Sequence, residues 1–136
     1  KGKFVPANVI SPDEMPDKEF PMILTTGRQL EHWHTGAMTR KASNLDAIEP
    51  EATISLSPKD IQSININPGE FIKVSTRRGS IKTRVREDRS IPEGVIFMPF
   101  CYKEAAVNLL TNSALDPFGK IPEFKYCAAK IDVVNR

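Results

Sequence analysis

The chain has 136 residues, 40% of them hydrophobic and 26% charged, with a formal net charge of +2. That is one ordinary domain with enough apolar residues for a real core. The charge is too mild to argue for nucleic acid by itself, and no apolar run is long enough for a membrane span or a signal segment.

The chain opens Lys1-Gly2-Lys3-Phe4 without an initiator Met, then carries Pro6, Pro12, Pro16 and Pro21 among acids. This reads as an extended, low-helix interdomain linker. Residues 1–20 are therefore expected to lead in from a preceding domain, with 21–136 as the folded unit. Pro21 to Gly27 reads as a short buried strand closed by a glycine turn. Arg28 to Arg40 is expected to be loop, with one helical turn near Ala37. Ala52 to Leu56 alternates as a second strand.

A short helix is well marked after it. Ser57 can cap, Pro58 suits the first helical position, and Asp60 stands three residues after the cap. Ile61 and Ile64 would face inward. Asn67-Pro68-Gly69-Glu70 has the residues of a type II turn. Phe71 to Arg77 and Ser80 to Arg86 are expected to form a hairpin across Arg78-Gly79, with Ile81, Thr83 and Val85 on one face. Pro92-Glu93-Gly94 turns into a buried strand over Val95 to Phe100. A helical turn is expected between Lys103 and Asn112, and Cys127 to Val134 alternates as a closing strand. Six or so short strands with one or two small helices indicate a mostly β barrel or sandwich.

Most of the chemistry lies in Leu24-Thr25-Thr26-Gly27-Arg28-Gln29-Leu30-Glu31-His32-Trp33-His34-Thr35-Gly36-Ala37-Met38-Thr39-Arg40. Glycine lets backbone approach a ligand closely, and Arg28 offers a rigid donor fork for a phosphate or other anion. No Ser, Cys or Asp stands beside a base, so nothing here arms a nucleophile. His32 and His34 would point the same way from an extended segment, but a transition-metal site needs three or four ligands and the others are missing. Hydrogen bonding of the imidazoles to a ligand or to backbone is the better account. Cys101 and Cys127, with no CxxC or CxxH spacing, are expected as buried free thiols.

Three further clusters each have two readings. Arg77, Arg78, Lys82, Arg84, Arg86 and Arg89 could form a nucleic-acid stripe, but no aromatics interleave and Glu87 and Asp88 dilute it. A solvated hairpin face, or a docking surface on another domain, accounts for it better. Asn108 to Pro117 concentrates amides and hydroxyls around three leucines. This suits a heterocycle edge, but taken alone a capped turn accounts for it better. Pro122-Glu123-Phe124-Lys125-Tyr126-Cys127 suits a stacked heterocycle with an anionic tail, or simple alternation of core aromatics with exposed charge.

Together these motifs resemble the C-terminal, molybdopterin-dinucleotide-binding domain of the dimethyl-sulfoxide-reductase family, most closely that of formate dehydrogenase alpha subunits. The resemblance rests on Phe20-Pro21, Leu24 to Arg28, His32 to Gly36 with Met38-Thr39, and Phe97-Met98-Pro99-Phe100. It continues through Asn108 to Thr111, Leu115-Asp116-Pro117 and Pro122 to Lys125, in order over nearly the whole chain. It implies a six-stranded double-psi β-barrel. It also implies bis-molybdopterin guanine dinucleotide as cofactor, with the molybdenum or tungsten carried by the full enzyme.

Carried over residue by residue, Thr26, Gly27, Arg28 and Gln29 would meet pterin or pyrophosphate. His32, His34, Thr35, Met38 and Thr39 would continue that wall. Asn108 would contact a pterin edge, and Phe124, Lys125 and Tyr126 would close the far side. Family members often have an acid where Gln29 stands. The family's metal ligand, and the catalytic His and iron–sulfur cluster of its formate dehydrogenases, lie in an upstream domain, so this domain would bind and not catalyse alone. The implied partners are upstream domains of the same polypeptide and electron-transfer subunits, without nucleic acid or direct membrane insertion, and a cytoplasmic parent enzyme. The alternative is a stand-alone double-psi adaptor using its basic hairpin. A pyruvoyl decarboxylase of similar fold would need processing at Gly79-Ser80, which lies in the basic hairpin.

Overall fold

Short apolar or alternating runs become six strands: β1 Met22–Gly27, β2 Thr53–Leu56, β3 Phe71–Thr76, β4 Gly79–Glu87, β5 Val95–Pro99 and β6 Cys127–Val133. The computed structural model describes Gly2 to Val134. Lys1 of the expected lead-in and Asn135 and Arg136 of the expected folded unit lie outside the described residues. The strands close into a barrel in the order β1-β5-β2-β4-β3-β6, so the expected six-stranded barrel is present. Leu24, Ile54, Leu56, Ile72, Val74, Ile96 and Met98 are fully buried in its core. Each such side chain contributes about 1.5–3 kcal/mol by leaving water.

Two α-helices accompany the strands, α1 Ser43–Ile48 and α2 Pro58–Ser63. α2 starts as its sequence dictates. The Ser57 hydroxyl accepts the Asp60 N–H at 3.1 Å and donates to the Asp60 carboxylate at 2.8 Å. α1 was not expected from the sequence. It buries no residue, so it leaves no apolar period to read. Instead the Arg40 guanidinium holds it through Asp46. The expected turn near Ala37 is a 3-10 turn at Thr39–Lys41, and the one after Lys103 is a pair of 3-10 turns, Lys103–Ala105 and Val107–Leu109.

The hairpin between β3 and β4 departs from expectation by one residue. Its corner is Arg77-Arg78, and Gly79 pairs with Thr76 inside the ladder. The Thr76 hydroxyl accepts the Arg78 N–H at 3.3 Å and tightens the corner, so the glycine is not needed there. Register on β4 follows the sequence, with Ile81, Thr83 and Val85 buried.

The lead-in has no regular secondary structure, yet its second half is tied to the barrel. Glu14 pairs with Arg78 and Arg77 and accepts the Ala128 N–H at 2.7 Å. Burial works to raise the Glu14 carboxyl, but the Arg78 hydrogen bond, the Ala128 N–H and both guanidinium charges hold it below its ordinary value. A carboxyl lowered in the folded state stabilises fully above its unfolded value, about 4.3, and loses that contribution as pH falls through the folded value. The thermal midpoint of the chain is therefore expected to drop below about pH 4.3, and Glu14→Gln to drop less. Calorimetry between neutral and acid pH checks this, and parallel curves for the two proteins would refute it.

Candidate functional site

Strand directions decide which loops share an end of the barrel. β1 and β5 run parallel, so the loops after both leave at the same rim. β6 is antiparallel to β1, so the chain enters β6 at that rim. β2 is antiparallel to β5 and parallel to β4, which sets the β3–β4 corner there too. Residues 28–42, 100–112 and 122–126 therefore meet, although the sequence keeps them far apart.

The contacts at this rim are specific. Thr26 Oγ1 donates to the Phe124 carbonyl at 2.9 Å, and Lys125 Nζ donates to the Thr26 carbonyl at 2.7 Å. The Phe100 N–H donates to the Gly27 carbonyl at 3.2 Å. The backbone at Gly27 runs so close to the Phe97 ring that an added Cβ would enter it. A side chain at Gly27 would therefore have to displace the Phe97 ring.

Arg28 follows directly, exposed. Arg40, Arg77, Arg78, Arg84, Arg86 and Arg89 each pair with a carboxylate. Arg28 alone among the described arginines has no acidic partner. Asn108, in the middle of the Val107–Leu109 turn, is likewise exposed, and among the described residues its amide side chain makes no hydrogen bond. Lys125 uses one of its three ammonium donors on Thr26 and keeps the rest. Gln29 donates to Glu31 at 2.7 Å, so its amide is partly spent, and that bond heads the interactions lowering the Glu31 carboxyl.

The two histidines part company. His34 sits at φ 48°, so the segment bends and the two rings do not point the same way. His34 packs edge-on against Trp33, with ring centroids 4.6 Å apart. His32 turns inward and is 2% exposed. Its Nε2 lies 2.8 Å from the Glu49 carbonyl, which only accepts, so Nε2 donates. That leaves Nδ1 to face the Thr39 hydroxyl at 3.3 Å, and this hydroxyl also accepts the Trp33 N–H at 3.0 Å. The Tyr102 hydroxyl donates to the same Glu49 carbonyl at 3.1 Å. His32 and Thr39 therefore hold the loop, whereas Thr35 and Met38 stand exposed on it. Phe124 and Tyr126 are half-buried beside Lys125.

Sequence reading missed the supports of this loop. Arg40 donates to Glu104 at 2.8 Å and to the Pro50 carbonyl at 3.1 Å, and lies over the Tyr102 ring. It was visible as the last residue of the Leu24 to Arg40 stretch. The Glu49 carbonyl is backbone and has no mark in the sequence.

The donor set tests what the rim can hold. A free guanidinium, spare ammonium donors and a free amide fit phosphate oxygens and the edge of a heterocycle. The chemistry of the site therefore fits a phosphorylated heterocyclic ligand. Cys101 and Cys127 are both buried and free, and burial pushes both thiols above their ordinary value, so neither supplies a thiolate. Among the described residues no group of His, Cys, Asp and Glu is arranged to hold a metal ion. An open cleft of about 520 Å³ lies at the other rim, around Phe71, Lys82 and Arg84, and contains none of the candidate residues.

A closed six-stranded barrel that presents unspent donors at one rim has the make-up of a ligand-binding β-barrel domain. More particularly, the chain belongs to the family described as the molydopterin dinucleotide binding domain, whose model matches residues 22–128. It is 47% identical over 132 residues to the F420-dependent formate dehydrogenase subunit alpha of Methanocaldococcus jannaschii, covering 97% of this chain and 20% of that one. It is 43% identical over 133 residues to the F420-dependent formate dehydrogenase 1 subunit alpha of Methanococcus maripaludis, covering 98% and 20%. The chain thus spans about a fifth of the length of these relatives. Acetylene hydratase from Pelobacter acetylenicus shares the fold with a TM-score of 0.76 at 25% identity, over 86% of this chain and 19% of that one. Among the described residues no helix is long and apolar enough to cross a membrane.

Proposed function

We propose that this chain is the cofactor-binding part of a formate-dehydrogenase-like molybdenum or tungsten enzyme, and that the Arg28 rim grips a molybdopterin guanine dinucleotide. The observation that carries the reading is the unpaired Arg28 guanidinium at a rim that also offers the free Asn108 amide. In a chain where every other described arginine is neutralised by a carboxylate, one left bare is a charge waiting for an external anion. Arg28 would neutralise a phosphate, with Lys125, held on the Thr26 carbonyl two residues before Arg28, adding cationic charge on the same side. Asn108 would fix a pterin edge, Thr35 and Met38 would extend the wall, and Phe124 and Tyr126, expected on the far side, would instead flank Thr26, whose hydroxyl donates to the Phe124 carbonyl. Thr26, Gly27 and Gln29 would bring backbone and amide close to the ligand. His34 would line the loop, with His32 and Thr39 acting from beneath.

In this reading residues 1–20 lead from a preceding domain into the barrel of 21–136. The bound group would supply the site of two-electron exchange, formate giving carbon dioxide, two electrons and a proton in the intact enzyme. Metal ligation and any iron–sulfur cluster would belong to upstream parts of the same polypeptide, with electron-transfer subunits beyond them, in the cytoplasm. A chain named as an acetylene hydratase carries the same barrel, so the barrel by itself does not decide the reaction. A basic-hairpin adaptor has less support, because Arg77, Arg78, Arg84 and Arg86 are engaged with Glu14, Asp17, Glu51 and Glu49. The Gly79-Ser80 bond that a pyruvoyl enzyme would cleave, turning the serine into the pyruvoyl group, lies paired in the ladder.

Arg28→Ala tests the proposal in the parent enzyme. Loss of a charge-assisted contact worth about 1.5–3 kcal/mol weakens binding roughly ten- to a hundred-fold. Pterin and metal content per purified molecule are expected to fall together. Wild-type content in the variant would remove Arg28 from the site.

A further inference from the structure

Resting on the reading that this rim holds a pterin dinucleotide, we propose that Glu14 of the lead-in is a positioning residue for it, acting through Arg78 on the turn that carries Asn108. The docked half of the lead-in runs along the outside of the barrel. Phe20 is buried between the Arg77 guanidinium at 4.7 Å and the Lys130 ammonium at 5.0 Å. The Asp17 carboxylate accepts the Phe20 N–H at 2.8 Å and the Glu19 N–H at 2.9 Å, and pairs with Arg77. These contacts fasten the segment and go no further.

Glu14 does go further. Its carboxylate is 14% exposed and takes both terminal nitrogens of Arg78, one of them at 3.0 Å. The other edge of the same guanidinium donates to the Leu110 carbonyl, from Nε at 3.1 Å and Nη2 at 3.0 Å. Leu110 is the residue that ends the Val107–Leu109 turn, and Asn108 is its middle. A single planar fork therefore joins the lead-in carboxylate to the backbone beside Asn108. An ammonium cannot span both partners in one plane.

A second link runs in parallel. The Asp13 N–H donates to the Glu123 carboxylate at 3.1 Å, which also accepts from the Asn112 amide at 3.2 Å. The Asn112 amide donates as well to the Tyr126 carbonyl at 3.1 Å. The lead-in thus reaches both the Asn108 turn and the 123–126 segment, the two parts of the rim supplied from the second half of the chain. Placement of the cofactor-facing groups is in this way made conditional on the lead-in being docked.

The test uses the parent holoenzyme and follows release of its pterin dinucleotide by the fluorescence of the oxidised pterin, with visible circular dichroism of the bound cofactor. E14Q and R78K are each expected to speed release roughly ten-fold, about 1.4 kcal/mol, and to alter the dichroism. D17N loosens the same segment without touching Leu110, and I54V weakens the barrel core. Both are expected to stay within about two-fold of wild type with an unchanged dichroism. Adding E14Q to N108A is expected to change release little, because both act on one contact. If E14Q fails to fold, R78K, which keeps the positive charge, decides the matter. Release from E14Q and R78K no faster than from I54V, or D17N matching E14Q, would overturn the inference. A wild-type parent with no pterin dinucleotide would instead overturn the function it rests on.

Discussion

Replacing His32 with alanine is expected to destabilise the chain by roughly 3–4 kcal/mol and to strip the parent enzyme of its cofactor. The imidazole is buried, and it bonds in two directions at once. Removing it leaves the Glu49 carbonyl with the Tyr102 hydroxyl alone and leaves the Thr39 hydroxyl holding only the Trp33 N–H. It also opens a void against the edge of the Tyr102 ring, whose centroid lies 5.6 Å away. The loop from Arg28 to Arg40 then loses its only ring anchored in the interior. His32→Gln keeps an amide donor for the Glu49 carbonyl and is expected to recover about half of the loss. Thermal melting of the chain and pterin content of the parent enzyme measure the two consequences. A variant melting with the wild type would show that the loop does not depend on the His32 ring.

The fold was legible wherever one residue type decides one local geometry. Ser57, Pro58 and Asp60 announce α2, and the alternation of Ile81, Thr83 and Val85 assigns the faces of β4. Legibility fails where a long-range polar contact replaces a local signal. α1 depends on Arg40 reaching Asp46, and the lead-in on Glu14 reaching residues more than sixty positions away. The corner falls on Arg77-Arg78, one residue before the glycine, where the Arg78 N–H reaches back to the Thr76 hydroxyl.

The candidate site divides in the same way. Arg28 and Asn108 stand out by residue type, and the resemblance places them in one site. The turning of His32 inward depends on a left-handed backbone at His34, a residue type that only sometimes adopts it. The support beneath the loop is a backbone carbonyl at Glu49, which any residue would provide. A reader of the sequence can therefore find what would touch a ligand more readily than what holds those groups in place.

Gly36→Ala provides the sharpest test of that support, because glycines elsewhere in the chain act as internal controls. Gly36 has φ +73°, and a Cβ there would come within 2.7 Å of the Cys101 carbonyl oxygen and 2.6 Å of Arg40 Cγ. The carbonyl belongs to the backbone just beyond β5. The Arg40 stem is fixed at its head by Asp46, Glu104 and the Pro50 carbonyl, so neither neighbour can give. Gly69 has φ +91° with open space around it, so alanine there carries backbone strain alone, about 1 kcal/mol. Gly79 lacks a positive φ and would place its Cβ 3.5 Å from the Leu109 carbonyl, an ordinary contact, so alanine there is expected to cost little or to stabilise slightly. Denaturant titration of the three variants should rank them in that order, with Gly36→Ala losing roughly 2–4 kcal/mol from strain and overpacking together. Only Gly36→Ala separates the loop after β1 from the chain after β5, so only it should also lower pterin content in the parent enzyme. Equal losses for Gly36→Ala and Gly69→Ala would mean that the close approach at Cys101 relaxes freely, and that the rim is not held rigid by packing between these two segments.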